Sequence, residues 1–220
     1  MPEDIGKAED VKEVKDFREA KDVGESGEAM RIAEILLTAT ALPDAQIFPE
    51  LGLARYTKVD YYRMACHLLF QCMRCGNCCT TGDPIRLRQE DAAAIARHLK
   101  IPLNKALKKY TTADPDRPDS LKFKHILPCK FYDRSGKGCK IYSARPWSCR
   151  IFPFLGIYGN EDQVVVNQSC PGSVQTMKAL TDALQSLTAG KAGGQADAPK
   201  PDPVEVKRAK ILLREALNSF

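Results

Sequence analysis

The chain has 220 residues, 44% of them hydrophobic, and a formal charge of +5 from 33 Lys and Arg against 28 Asp and Glu. That length supports one compact domain with extensions, and the interleaving of basic with acidic residues excludes the basic stripe expected of a nucleic-acid binder. The charged opening MPEDIGKAED lacks the apolar region of a secretory signal, and no stretch approaches the roughly 18 apolar residues that span a bilayer, so a cytoplasmic chain without a membrane partner is expected.

Residues 1–28 are dense in Lys, Glu and Asp and predict either a solvated helix or a disordered segment. Ile32, Ile35, Leu36, Ala39 and Leu42 then fall at helical spacing and stop at Pro43. A second helix fits Val59, Tyr62, Cys66, Leu69 and Phe70, and on that stripe Cys66 reads as a small core hydrophobe rather than a ligand. Pro84 to Leu87 predicts a short extended piece, followed by a helix with Ala92, Ile95, Ala96 and Leu99 on one face. Pro102 opens another helix, with Leu103, Ala106, Leu107 and Tyr110 inward. Thr111 to Ser120 predicts a loop, and Leu121 to Phe123 a strand. Cys129 to Cys139 has turn chemistry between two strand-like ends and predicts a hairpin with a cysteine at each side, and Val164 to Val166 predicts one more strand. Residues 188–203 read as a linker. Beyond them Asp202, Pro203 and Glu205 cap a helix whose apolar stripe is Val206, Ala209, Leu213, Ala216, Leu217 and Phe220. The expected organisation is a charged segment (1–28), a cysteine-cluster domain with preceding helices (29–187), and a linker with a C-terminal helix (188–220). The class is α+β, a small cysteine-rich, metal-centred domain with short strands, flanked by helices at both ends.

Four cysteines fall within eight residues, in Cys72-Met-Arg-Cys75-Gly-Asn-Cys78-Cys79, where nine in 220 would place about a third of one. Persistent disulfides are uncommon in a reducing cytoplasm, so the thiols point to metal or redox chemistry. Two cysteines two residues apart can turn both sulfurs toward one ion, and Gly76 suits the tight turn because it tolerates positive φ. Cys72, Cys75 and Cys78 repeat that spacing as the first three ligands of a bacterial ferredoxin run do, and Cys170 precedes Pro171 as the fourth ferredoxin ligand precedes its proline. On extended backbone Cys78 and Cys79 would diverge, which favours two centres or one multinuclear centre. Cys129, Cys139, Cys149 and Cys170 complete a candidate set of eight thiolates. Arg74, Lys130, Lys140, Arg145 and Arg150 stand close in sequence to compensate their charge. Eight sulfurs leave no need for His125, and His67 and His98 carry no role.

The CMRCGNCC run, the GCKIYSARPWSCRIFPF segment containing Cys139 and Cys149, and Cys170-Pro171-Gly172 resemble the YkgJ-type cysteine-cluster proteins, the CxxCxxCC or zinc- or iron-chelating domains. The match runs from about Gln71 to Gly172. The resemblance implies metal binding through the cysteines and carries the family's common label of Fe–S oxidoreductase; a related pattern in flagellin lysine methylases implies an association with methyl transfer, for which no methyl-donor pocket is marked here. One departure is Arg88-Gln89-Glu90, where a Ser or Thr cap is expected before the next helix, which costs about 1 kcal/mol of helix stability unless Asp91 or a loop group substitutes.

The leading expectation is an iron–sulfur metalloprotein, [4Fe–4S] in type, serving electron transfer or a redox step; Phe131, Trp147, Phe152 and Phe154 read as plain core, with exclusion of water from the centre incidental. The alternatives are Zn2+ in closed four-sulfur structural or interaction sites, and metal delivery from solvent-facing thiols at Cys78 or Cys79. Either a redox or a metal-exchange protein partner is implied. No catalytic residue emerges: there is no nucleotide loop, Ser–His–Asp set or paired-carboxylate motif.

Overall fold

The computed structural model describes residues 25–51, 56–81, 85–117, 120–124, 127–136, 138–155, 163–189 and 201–218. Most of the charged opening segment, His125, and residues 190–200 of the expected linker lie outside the described residues. The elements run, in chain order, α1 (Glu25–Ala39), α2 (Asp44–Ile47), a 3-10 turn (Pro49–Leu51), α3 (Lys58–Leu69), α4 (Asn77–Thr80), β1 (Arg86–Leu87), α5 (Gln89–His98), α6 (Leu103–Tyr110), β2 (Thr111–Ala113), β3 (Leu121–Phe123), β4 (Tyr132–Asp133), β5 (Gly138–Cys139), a second 3-10 turn (Tyr142–Ala144), α7 (Trp147–Ile151), α8 (Pro171–Ala189) and α9 (Pro203–Asn218). Helices with a few short antiparallel strands make the fold α+β. No described helix is long and apolar enough to cross a membrane.

The chain forms two compact units, one from residues up to Leu69 together with Lys178–Asn218, the other Phe70–Met177. In the first, α1, α3 and α9 pack on one another. Apolar residues three and four apart bury Ala29, Ile32, Ala33, Leu36 and Ala39 of α1. The helix ends at Ala39, short of the expected stop at Pro43, and the Thr40 hydroxyl donates to the Leu36 carbonyl at 2.8 Å. The buried face of α3 is Tyr61, Met64, Ala65 and Cys66, whereas the expected Val59, Tyr62 and Leu69 are half-buried. The rotation brings the Tyr61 hydroxyl to Asp44 Oδ1 at 2.8 Å, a partner no local pattern discloses. At α9 the expected cap is present: Val204 N–H donates to Asp202 Oδ1 at 2.9 Å, and Val206, Ala209 and Leu213 are buried. The side chains of residues 216–220 lie outside the described residues.

The second unit holds a three-stranded antiparallel sheet in the order β1-β3-β2, with Lys122 opposite both Arg86 and Thr112, and a separate hairpin of β4 and β5. Thr111–Ala113 is therefore strand, not loop, because β3 supplies it a partner. The Cys129 to Cys139 hairpin is as expected, with Tyr132 opposite Cys139. Leu87, Ile95, Phe131, Ile141 and Ala144 form the core, over which Tyr110 and Phe123 stack on Phe131 at 4.9 and 5.6 Å. On α6 Ala106 is buried but Leu103, in the first turn after Pro102, is 45% exposed, contrary to its expected inward position. Val164–Val166 is irregular rather than a strand, with no ladder partner among the described residues. Helix α8 was not anticipated. Pro171 is its first residue, and its inward face carries Ser173 and Thr176 beside Leu180 and Ala183, which dilutes the apolar period.

Candidate metal centre

The CMRCGNCC run sits at the start of the second unit and closes into a single helical turn. Gly76 caps that turn at φ +83, and Cys79 N–H donates to the Gly76 carbonyl at 2.9 Å. A β-carbon on Gly76 would stand 2.4 Å from the Tyr132 ring, so close packing and left-handed backbone both demand glycine. Cys78 and Cys79 are consecutive on α4, with their sulfurs 4.0 Å apart. The extended backbone on which they would diverge is absent. Four sulfurs held about 2.3 Å from a tetrahedral ion stand about 3.8 Å from one another, so this pair has the separation of two ligands to one ion.

The downstream cysteines arrive on other elements. Cys129 N–H donates to the Cys79 carbonyl at 2.7 Å, which pins the hairpin entry to the cluster. Cys139 ends the hairpin on β5, and Cys149 lies on α7, whose Ser148 hydroxyl donates to the Arg86 carbonyl at 2.9 Å. Cys170 immediately precedes α8, and the Asn77 amide donates to the Ser169 carbonyl beside it. A cavity of about 1120 Å³ in this unit is lined by Cys72, Cys78, Cys79, Cys129, Cys139 and Cys149. Cys75 and Cys170 are not in its lining. Cys66 belongs to the other unit and is fully buried, and burial pushes its thiol up to about 12, which suits its expected structural role.

The thiols act on one another electrostatically. Cys78 is held down at about 7, first by the hydrogen bond with the Cys79 thiol, against burial, and with help from its own backbone amide and the charge of Arg145. The same bond, then burial and the charges of Cys78, Cys129 and Cys139, pushes Cys79 up. Burial raises Cys149, Cys139 and Cys129, and neighbouring thiols raise them further, while Arg145 eases Cys149 and Cys139. Cys170 is raised by burial and then by Cys75 and Cys78. Cys75 and Cys78 are exposed and the other six are half-buried.

Of the cations close in sequence to the cysteines, Arg74 and Arg145 reach the cavity wall. Lys130 and Lys140 are exposed and outside the lining, and Arg150 turns to the Arg145 carbonyl at 2.8 Å and to Asp91 at 3.6 Å. Arg86, Arg117 and Lys122 also line the cavity, and cysteine spacing held no signal for them. Trp147 and Phe152 form part of the wall, while Phe154 is core and stacks on Phe70 at 5.9 Å.

Residues 71–171 match the family model CxxCxxCC, described as "Putative zinc- or iron-chelating domain". The match covers less than half of the chain, and that segment is similar to the family. The chain is also similar to "Uncharacterized protein MJ0661" of Methanocaldococcus jannaschii, 37% identical over 87 residues, which are 40% of this chain and 46% of the relative. The chain thus spans less than half the length of that relative. No solved structure matches the chain.

The donors lining the cavity suit the chelating chemistry that the family model describes: thiols are soft ligands, and among the described residues no histidine or carboxylate lines it. Among the described residues no three His, Cys, Asp or Glu side chains already stand in closed ligating geometry. Six of the cysteines border a shared space, and each sulfur turns about a single side-chain torsion.

Proposed function

We propose that the CxxCxxCC domain holds an iron–sulfur cluster of the [4Fe–4S] kind and exchanges electrons with a protein partner in the cytoplasm. The proposed metal ligands are Cys72, Cys75, Cys78, Cys79, Cys129, Cys139, Cys149 and Cys170, of which one such cluster uses four and the rest suit a second centre or a redox pair. The observation that carries this reading is the lining of one cavity by six thiols, more than a single tetrahedral ion uses. When bound, such a cluster supplies reversible electron transfer at a potential set by nearby charge, hydrogen bonds and solvent exposure. Arg145 supplies positive charge beside Cys78, Cys139 and Cys149, and Trp147 and Phe152 limit water on one wall. The exposed Cys75 and Cys78 leave one side of the thiol group within a partner's reach.

A second reading is zinc, held or handed on to a metal-exchange partner. The 4.0 Å separation of Cys78 and Cys79 favours it, as does the exposure of Cys78, which a closed structural site would deny. Anaerobic purification followed by iron, acid-labile sulfide and zinc analysis decides between them. Iron and sulfide in equal, stoichiometric amounts support the cluster; tightly held zinc without sulfide supports a structural site, and zinc lost quickly to a weak chelator supports delivery.

A further inference from the structure

The cavity wall carries more positive charge than its thiols account for by contact with Arg145 alone. Five cations, Arg74, Arg86, Arg117, Lys122 and Arg145, line it, and among the described residues no carboxylate does. Two of them are satisfied from behind: Arg86 Nε lies 2.9 Å from Asp114 and Lys122 Nζ 2.7 Å from the same buried carboxylate. Arg74 and Arg145 have no carboxylate partner among the described residues, and both are fixed on one aromatic ring. The Arg145 guanidinium carbon stands 3.7 Å from the Tyr142 ring centre and that of Arg74 stands 4.7 Å from it. Arg145 Nε donates to the Tyr142 carbonyl at 3.1 Å, and the Arg145 carbonyl accepts from Arg150 at 2.8 Å, so both ends of the residue are held. Arg74 has left-handed backbone at φ +54, and its Cδ would lie 3.4 Å from a β-carbon on Gly138, so its stem crosses the hairpin.

A guanidinium stacked on a ring keeps its edge N–H groups free for a planar or tetrahedral oxyanion, with little rotamer entropy left to lose. The cavity volume, about 1120 Å³, is the size of a pocket for an organic ligand and far exceeds what one ion fills. Trp147, Phe152 and Leu155 give it an apolar wall. We propose that the cavity admits an organic oxyanion beside the thiols, its charged head received by Arg145 and Arg74 on Tyr142 and its carbon skeleton laid against Trp147, Phe152 and Leu155. This site goes beyond metal binding and holds for either metal.

The test uses the full chain as purified, with metal content measured in every sample so that loss of the metal centre is told apart from loss of the anion site. Benzoate and phenyl phosphate are titrated by calorimetry, with inorganic phosphate as the comparison. Saturable binding of one aromatic anion is expected, and which of the two binds assigns the head group as carboxylate or phosphate. Arg145→Gln and Arg74→Gln should each weaken it about ten-fold, and Arg145→Lys should recover only part of the loss. Independently of any variant, the bound probe should protect Arg74 and Arg145 of the native chain from phenylglyoxal, read by mass spectrometry. Absence of saturable binding overturns the site, as does equal modification of both arginines with and without probe. Binding of inorganic phosphate as tight as that of phenyl phosphate overturns the organic ligand.

Discussion

The carboxylate of Asp91 accepts the backbone N–H of Trp147 at 2.9 Å across 56 residues of sequence. Its second oxygen accepts Arg88 N–H at 2.8 Å, so one buried side chain both caps α5 and anchors the first residue of the helix that carries Cys149. The absent Ser or Thr cap is thereby replaced from within the first turn. Asp91→Ala should cost about 2 kcal/mol in denaturant unfolding, combining a lost cap with an unpaired N–H, and should lower metal content as α7 loosens. Asp91→Asn, which keeps one acceptor oxygen but turns an NH2 toward the other backbone N–H, should cost less than Asp91→Ala without removing the loss. Equal costs for the two would show that the carboxylate acts by charge rather than by geometry.

The assignment of ligands separates Cys66 from the other eight cysteines. Cys75→Ala and Cys149→Ala should lower the metal-to-protein ratio markedly, measured by elemental analysis after anaerobic purification. Cys66→Ala removes only a buried sulfur, costs about 1 kcal/mol of stability, and leaves that ratio unchanged. Equal metal loss in all three variants refutes the assignment.

Gly76 is the backbone position on which the cluster turns. Gly76→Ala forces a side chain into left-handed backbone, at about 1 to 2 kcal/mol, and sets its β-carbon 2.4 Å from the Tyr132 ring. Both stability and metal content should fall. Adding Tyr132→Ala should return only part of the lost stability, since it relieves the contact and not the φ; full recovery in thermal melts would contradict the backbone argument.

In the first unit a buried charge cluster sets the acid limit of stability. Asp44 is 1% exposed; its carboxylate accepts Lys210 Nζ at 2.9 Å and Tyr61 OH at 2.8 Å, and it pairs with Arg214. Burial pushes the carboxyl up, but the hydrogen bonds from Lys210 and Tyr61 and the charges of Lys210 and Arg214 outweigh it and hold Asp44 below its ordinary 3.8. A carboxylate depressed in the folded state stabilises fully above its unfolded value, so this contribution should be present at neutral pH and lost as pH falls below 3.8. Asp44→Asn should remove that acid-dependent part of the melting curve and cost about 3 to 5 kcal/mol, because it strands Lys210 in the interior. Lys210→Met should cost less, since Arg214 and Tyr61 still hold the carboxylate.

The amino-acid order alone determined much of the local structure and which soft donors are present. The turn chemistry between Cys129 and Cys139, the periodic stripe of α5 and the Asp202-Pro203 cap are short-range signals, carried by spacing and by backbone preference, and each has its expected place. Tertiary structure decided what depends on partners distant in sequence. The strand at Thr111–Ala113 exists because β3 pairs with it, Tyr61 turns inward because Asp44 accepts its hydroxyl, and Cys78 and Cys79 lie 4.0 Å apart because the run ends in a helical turn. The cavity is the clearest case. Arg74 and Arg145 share a wall with six thiols only because a hairpin, a 3-10 turn and α7 bring them there, and Coulomb and packing forces act through space without regard to chain order.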